Sequence, residues 1–359
     1  MRDVRGPIRA RQMRRLGVGA VAAVLASGAI AACGSSGSSS ASSSATSGSS
    51  TNAAANSGAV SINFGDLSPN STLTPFYVAV DQGFFKKVGL NVTVQKFTGG
   101  GATSVAALAT GAVQVASGGP TNFIGDMAKS VINGRLFGMT VDSGYDLVVS
   151  KGITSISQLK GKTIGVSGIN SSDNIFLEAT LAHYGISASD VTYITAGTTA
   201  ERLIALSTGK IQAIADQAAF RPSEIAVGDV LVKAEDNPVQ LPTVAFYADE
   251  SFIKSNPTAL KKFIGAVIQA AAWAKQPANE QAAVTDCEQG SGTTAAGCEQ
   301  TIAWAKSQRS VDPYTWSSTF GLDTKSLQAA IAAVSLVIPQ AKSLALNDVA
   351  DTTFAGTTP

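Results

Sequence analysis

The chain has 359 residues, of which 45% are hydrophobic and 14% are charged. Average globular proteins have about 25% charged residues, so this composition predicts a large buried core and excludes a disordered chain. Lys and Arg number 26, Asp and Glu number 25, and six of the arginines lie within the first fifteen residues. The rest of the chain is therefore mildly acidic, which argues against nucleic acid as a partner. Three Cys and one His are too few for a typical protein-built zinc site, and we expect neither a metal nor a cofactor.

Residues 1–33 are predicted to be a lipoprotein signal peptide. An Arg-rich start precedes an apolar stretch over 16–30, which is short for a membrane span and rich in Gly and Ala. The stretch runs into Ala31-Ala32-Cys33, which resembles a bacterial lipobox. We expect a lipidated Cys33 that anchors the protein to the outer face of the bacterial cell membrane. The alternative is ordinary cleavage before an unmodified Cys33, which would leave an oxidation-prone thiol.

The following segment, 34–58, contains Ser, Gly, Ala, Thr and Asn without a charge. Such a composition behaves as a flexible coil, and about 25 residues reach roughly 25–30 Å. We expect a tether that holds a folded body above the membrane. The arginine pair at 14–15 leaves twin-arginine and Sec export both open.

The folded body begins near residue 59, and strand and helix patterns then alternate, which predicts an α/β protein with parallel or mixed sheets. In the first unit we expect strands over 60–64, 90–95 and 113–116. Helices are expected over 74–87 and 103–110, with another that opens at 118–122.

A second unit follows an extended crossing segment at 145–150. Its expected strands are 163–166, 191–195 and 211–215, and its helices start at 170–173 and at 198, where Thr198 and Glu201 have capping-box spacing. A return crossing at 241–247 leads to a helical remainder: 260–274, a pair around two cysteines, and 323–338. Two crossings predict two lobes joined by a hinge: 59–146 plus 247–359 as lobe 1, and 147–246 as lobe 2.

Several motifs occur together in a characteristic order: TPFYVAVDQGFFKKVGL at 74–90, GGG at 99–101, LATG at 108–111, GGP at 118–120, LKGK at 159–162, LSTGKIQA at 206–213 and FIKSNP at 252–257. Together they resemble the extracytoplasmic binding proteins for nitrate, sulfonates, taurine and thiamine precursors, over about 60–273. The resemblance implies a two-lobed, periplasmic-binding-protein-like fold of type II, with two mixed sheets and a ligand cleft at the hinge. It also implies a monomer that delivers a small solute to an ABC permease and its ATPase.

Polar turns at the strand ends are the expected ligand site. Each leads into a helix whose first amides lack an internal partner and can bind an anion or a carbonyl. Phe76, Tyr77 and Tyr145 are candidates for an apolar wall around the solute. The other candidate contacts are Thr74, Gly100, Gly119, Thr121, Asn122, Ser171, Ser172, Thr198 and Asp216.

Several of these residues have a second interpretation. Phe76 fits equally well in the core, and Asp216 could cap a neighbour at its strand end. Arg221 could pair with a carboxylate or sulfonate, or be a solvated turn residue. His183 lies near a predicted helix C-terminus, and we assign it no catalytic role.

Cys287 and Cys298 are predicted to form a disulfide, because Cys33 is taken by the lipid and an exported chain folds where thiols oxidise. Two free buried thiols are the alternative.

Two other functions remain possible from the sequence. Pyrimidine synthases of the yeast type and menaquinone-pathway enzymes share the fold by resemblance, but the exported leader and the lack of a His, Cys or acid cluster argue for a protein that is not an enzyme. A lipid-anchored surface receptor without transport is the second alternative. Sulfonates, nitrate, aromatic carboxylates and pyrimidines are all compatible solutes.

Overall fold

The computed structural model describes residues 59–66, 70–97, 101–141, 144–307, 316–317 and 319–354. The predicted signal peptide, Cys33, the tether and Gly100 lie outside these residues. Within the described part, no helix is both long and apolar enough to cross a membrane.

Ten strands occur in the described residues, and in chain order they are β1 (Val60–Asp66), β2 (Leu90–Lys96), β3 (Val115–Gly118), β4 (Gly134–Val141), β5 (Tyr145–Val149), β6 (Thr163–Val166), β7 (Thr192–Thr195), β8 (Ala213–Gln217), β9 (Asp229–Val232) and β10 (Val244–Asp249). The α-helices are α1 (Thr74–Asp81), α2 (Phe84–Lys87), α3 (Gly101–Ala109), α4 (Pro120–Ala128), α5 (Ser172–His183), α6 (Thr199–Ser207), α7 (Arg221–Val227), α8 (Glu250–Ser255), α9 (Pro257–Ala274), α10 (Glu280–Ser291), α11 (Ala295–Ser307), α12 (Thr324–Val337) and α13 (Leu346–Val349).

The strands form two mixed sheets of five, which confirms the predicted α/β class. The first sheet has the order β2-β1-β3-β10-β4, and the second has the order β7-β6-β8-β5-β9. In the first sheet β10 runs antiparallel between β3 and β4, and in the second β5 runs antiparallel between β8 and β9. We call each sheet with its packed helices a lobe, the first lobe and the second lobe.

The two crossings differ in detail from the sequence expectation. All of β5 belongs to the second sheet and all of β10 to the first, whereas the expected boundaries at 146/147 and 246/247 run through these strands. The segment expected to be a crossing at 145–150 therefore forms an internal strand of the second sheet, between β8 and β9. Strand β4 was not expected, because its sequence lacks a clear alternation and it is held by pairing with β10 a hundred residues later.

Helix boundaries also shift. The single helix expected over 74–87 is divided into α1 and α2 by Gly83, whose φ of 72° lies in the left-handed region. Strands β3 and β8 each begin two residues later than expected, at Val115 and Ala213. These shifts place Ser117 and Gln217 inside the strands, near their carboxyl ends.

The core of the first lobe is aromatic. Phe64 and Phe76 stack with ring centroids 3.9 Å apart, and Phe85, Phe246 and Phe263 surround them. A second core cluster continues from Phe123 in the first lobe to Ile164 in the second. Helix α12 packs against both α4 and α5, and so connects the lobes on that side.

Candidate functional site

The turns that follow β3 and β6 meet between the two lobes. Thr121, in the first turn of α4, lies 2.6 Å from Ser172, the first residue of α5, through their hydroxyl oxygens. The amide oxygen of Asn122 accepts hydrogen bonds from the backbone N–H of Ser172 at 3.1 Å and from its hydroxyl at 2.7 Å. The Asn122 Nδ2 group donates to the carbonyl of Asn170 at 3.1 Å. Five of the expected ligand contacts, Gly119, Thr121, Asn122, Ser171 and Ser172, therefore lie at one place.

Gly119 permits this close approach. A Cβ atom on Gly119 would lie 2.0 Å from the Ser172 hydroxyl oxygen, which is far inside van der Waals contact. Any side chain at this position would push the two turns apart. We call the group Gly119, Thr121, Asn122, Asn170 and Ser172 the interlobe contact.

Two of the backbone amides at the expected solute-facing turns donate hydrogen bonds within the protein. Asn122 takes the amide of Ser172, and at the start of α6 the Thr198 N–H donates to Glu201. The predicted capping box of Thr198 and Glu201 is confirmed. The hydrogen bonds from Thr198 lower the pKa of Glu201. Both helix starts are thus less available to an anion than their sequences indicated.

The loop between β6 and α5 is held from within the second lobe. The hydroxyl of Ser171 donates to the carbonyl of Gly168 at 2.5 Å and also contacts the carboxylate of Asp173. Asp173 in turn accepts from the backbone and the hydroxyl of Ser167 at 2.7 and 2.6 Å. These bonds fix the loop shape that brings Ser172 to the first lobe.

The expected aromatic wall is divided among three environments. Phe76 is fully buried in the aromatic core of the first lobe, so the structure places it in packing and not at the solute surface. Tyr77 donates its hydroxyl to Asp66, at the end of β1, with an oxygen–oxygen distance of 2.6 Å. Tyr145 begins β5 and packs against Phe176 with ring centroids 5.0 Å apart. Burial, followed by the charge of Asp173, raises the pKa of the Tyr145 phenol, which stays protonated at neutral pH.

Thr74 is likewise buried, and its hydroxyl donates to the carbonyl of Ser71 at 2.6 Å. This bond joins the first residue of α1 to the 3₁₀ turn at 71–73 that precedes it, so the side chain of Thr74 stabilises the start of the helix.

Asp216 lies in a buried ionic group at the end of β8. Its carboxylate accepts from Thr199 at 3.2 Å and lies 3.7 Å from the guanidinium of Arg202. Arg202 also lies 3.8 Å from Asp173, so one arginine connects the starts of α5 and α6. Burial raises the pKa of Asp216 to about 6, and Arg202 opposes this shift. The observed contacts of Asp216 are thus with neighbouring residues of its own chain, as in the alternative interpretation from the sequence.

Arg221 is occupied by carboxylates of its own chain. It contacts Asp146 at 2.7 Å and Glu235 at 2.6 Å, and these hydrogen bonds raise the pKa of the guanidinium. In the structure Arg221 is therefore neither a free solvated side chain nor available to a solute, because it forms this bridge between two carboxylates. The sequence could not reveal it, because Asp146 lies 75 positions away.

Several buried polar atoms near the strand ends lack a hydrogen-bond partner in the described structure. They include the hydroxyl oxygen of Ser117 on β3, and Oε1 of Gln217 and Oδ2 of Asp216 on β8. Ser117 and Gln217 are the uncharged residues among these three. One belongs to each lobe. Gln217 lies directly opposite Tyr145 across the β5–β8 pair. Buried polar atoms of this kind ordinarily bind a ligand or an ordered water. No local sequence pattern singles out Ser117 or Gln217 as a ligand contact.

The predicted disulfide between Cys287 and Cys298 is confirmed. It joins α10 to α11, and the pair packs against the 3₁₀ turn at 71–73 and, through α10, against α1. Gly290 of α10 lies against the Tyr77 ring, and the Thr301 hydroxyl lies 2.6 Å from that of Ser71. Gln300 of α11 donates to the carbonyl of Ala219 in the second lobe at 3.4 Å. The disulfide-linked pair therefore contacts both lobes.

The protein has two mixed β-sheets with packed helices, which are joined by two crossings and meet at their polar turns. This arrangement defines the periplasmic-binding-protein-like fold. The family model described as NMT1/THI5 like matches residues 70–280, which is more than half of the chain. The chain belongs to this family. No curated protein matches the chain.

Solved structures support the fold. The chain is similar to a protein of Bordetella bronchiseptica RB50, with a TM-score of 0.66 and 23% identity over 82% of this chain and 95% of that one. The alkanesulfonate-binding protein SsuA from Xanthomonas axonopodis pv. citri, solved with bound MOPS, gives a TM-score of 0.62 and 18% identity over 80% of this chain and 95% of that one. The periplasmic nitrate-binding protein NrtA from Synechocystis PCC 6803 gives a TM-score of 0.64 and 12% identity over 82% of this chain and 87% of that one.

Proposed function

We propose that this chain is the extracytoplasmic solute-binding component of an ABC importer and that it is not an enzyme. It captures a small polar solute between its two lobes and delivers it to a membrane permease driven by an ATPase. The family membership and the fold support this proposal. The names of SsuA and NrtA, which state that they bind alkanesulfonate and nitrate, support it by analogy.

The leader supports a location at the outer face of the cell membrane. In our proposal Cys33 carries the lipid, the segment 34–58 is the tether, and a monomeric body works above the bilayer. The lobes that close on the solute are 59–144 with 244–359, and 145–243, which follow the membership of the strands in the two sheets.

The observation that carries the proposed site is the pair of unpartnered buried atoms, Ser117 Oγ and Gln217 Oε1. A solute that bridges them would satisfy one polar group from each lobe, and leaving such atoms unbound costs free energy. It would lie next to the interlobe contact, beside Gly119, Ser171 and Thr198, with Tyr145 at its edge. In α/β proteins ligands bind outside the carboxyl ends of the strands, which agrees with this placement.

The contacts favour one part of the expected solute range. Arg202 and Arg221 are bound to carboxylates, and the Ser172 amide is bound to Asn122. The unpartnered buried atoms of the described residues include the Ser117 hydroxyl and the Gln217 amide oxygen, together with Oδ2 of Asp216 and Nε of Arg202. These groups suit a solute with both donors and acceptors. A polar heterocycle or an organic anion with a polar body fits this set better than nitrate does.

A thermal-shift screen of sulfonates, aromatic carboxylates, nitrate and pyrimidines tests the proposal. A solute at a hundredfold excess over its dissociation constant stabilises a protein by about 2.7 kcal/mol, so a true ligand gives a clear rise in melting temperature. Ser117→Ala and Gln217→Leu should each reduce the shift of the best compound. They should leave the solute-free melting temperature nearly unchanged, because neither side-chain oxygen has a protein partner.

Tyr193→Phe is the matched control. Its hydroxyl is also buried without a partner, but Tyr193 lies on β7, the edge strand of the second sheet. This variant should keep the full shift. If Ser117→Ala and Gln217→Leu keep it as well, the solute binds elsewhere and the proposed site is wrong.

A further inference from the structure

Helix α5 begins without a cap from its own N-terminal side chain. Ser171 stands at the capping position, but its hydroxyl donates to Gly168 and contacts Asp173 instead of a helix amide. The first amides of a helix need an acceptor from outside the helix. For Ser172 that acceptor is Asn122 Oδ1, which belongs to the first lobe.

The Asn122 side chain makes hydrogen bonds to the second lobe at both its ends. Its oxygen accepts from the amide and the hydroxyl of Ser172, and its nitrogen donates to the carbonyl of Asn170. Thr121 adds a buried hydroxyl–hydroxyl bond to Ser172 at 2.6 Å. Gly119 leaves the space in which these groups meet.

We propose that Asn122 is an interlobe latch, which caps α5 from the first lobe and holds the two lobes together before any solute binds. The geometry contains everything that the latch needs within the chain: an acceptor, a donor, and a glycine that lets the turns approach. When the lobes separate, α5 loses its cap, so opening carries a cost that is independent of the solute. Helix α12, which packs against both α4 and α5, keeps the two turns close enough to meet again.

The inference goes beyond the proposed function, because it concerns the solute-free protein. Its outcome does not depend on which solute binds, or on whether Ser117 and Gln217 contact it. Failure of the latch and failure of the proposed site are therefore distinguishable.

Hydrogen exchange in the full-length, solute-free protein tests the latch, with native mass spectrometry to confirm that no small molecule is bound. In Asn122→Ala the amides in the first turn of α5 should exchange about tenfold faster than in the wild type, as expected for the loss of a helix cap. The radius of gyration from solution scattering should increase in the same variant. The first turn of α6 should be unchanged, because its Thr198–Glu201 cap lies within one lobe.

Two further variants separate the latch from general damage to the fold. Asn133→Ala changes an exposed asparagine of the same lobe and should behave as the wild type. Gly119→Ala keeps Asn122 but blocks the approach of Ser172, and it should increase α5 exchange and the radius of gyration as Asn122→Ala does. If both α5 exchange and the radius of gyration in Asn122→Ala and Gly119→Ala equal those of the wild type, the latch does not hold the lobes together.

Discussion

Asp146 and Asp216 lie directly opposite each other on the antiparallel strands β5 and β8, and both side chains are buried. Like charges in this arrangement repel, so each carboxylate needs its own cation. Arg221 contacts Asp146, and Arg202 lies near Asp216. The second lobe thus uses two arginines to pair with its own buried acids.

Glu224 of α7 adds a third carboxyl group, and it should make stability depend on pH. Burial first, and then the charges of Asp216 and Asp146, raise its pKa to about 10. The folded state therefore binds a proton more tightly than the unfolded state. Protonated Glu224 makes its full contribution to the free energy of unfolding below about pH 4. This contribution is lost as the pH rises toward 10, at up to about 1.4 kcal/mol per pH unit.

Glu224→Gln removes this titration while it keeps the shape of the side chain. The variant should be more stable than the wild type at pH 9, and its free energy of unfolding should fall less between pH 5 and pH 9. Urea denaturation at several pH values measures both. An unchanged slope would show that Glu224 is not protonated in the folded protein.

The ion pair of Arg221 should matter for stability. Arg221→Ala leaves Asp146 buried without its cation, which should lower the free energy of unfolding by about 3–5 kcal/mol. Lys254→Ala removes an exposed lysine from its pair with Glu250, which keeps Arg135 as a partner, and should cost less than about 1 kcal/mol. Denaturant titration of both variants checks the difference, and similar losses would mean that the Asp146 contact contributes little.

The disulfide should stabilise the fold by restricting the unfolded chain. Cys287 and Cys298 are separated by 11 positions, and closing a loop of about this length contributes roughly 3 kcal/mol. The Cys287→Ser/Cys298→Ser variant should have a free energy of unfolding that is lower by roughly 3 kcal/mol, and it should therefore unfold at a lower denaturant concentration. Intact mass of the wild type before and after treatment with a thiol reductant provides the control, since reduction of the bridge adds two hydrogen atoms (two electrons and two protons).

Membrane attachment should depend on Cys33. Cys33→Ala should leave the protein in the soluble fraction after cell lysis, with the mass of an unlipidated chain. The wild type should sediment with membranes and carry the added mass of a lipid at its N-terminus. Equal membrane binding by the two proteins, with the same N-terminal mass, would exclude the lipid anchor.

Local features of the fold were predictable from the sequence. The Thr198–Glu201 capping box depends on two residues three positions apart, and the strands at 90–96 and 163–166 lie between recognisable Gly and Lys turns. Such elements are determined by their immediate neighbours in the chain.

The parts that were missed depend on distant partners. Strand β4 forms only because β10 pairs with it, and Asn122 meets Ser172 from 50 positions away. Phe76 resembles a binding residue in sequence, but Phe64, Phe246 and Phe263 enclose it in the folded lobe. No local pattern distinguishes a serine that faces a solute from one that caps a helix, so the candidate site needed the three-dimensional structure.

Native mass spectrometry with the best compound of the thermal-shift screen tests the central claim most directly, because it counts solute molecules per chain. The wild type should bind one solute per chain, and the Ser117→Ala/Gln217→Leu double variant should bind none at the same concentration while it remains folded. Full occupancy in the double variant would contradict a site between the lobes at these two side chains.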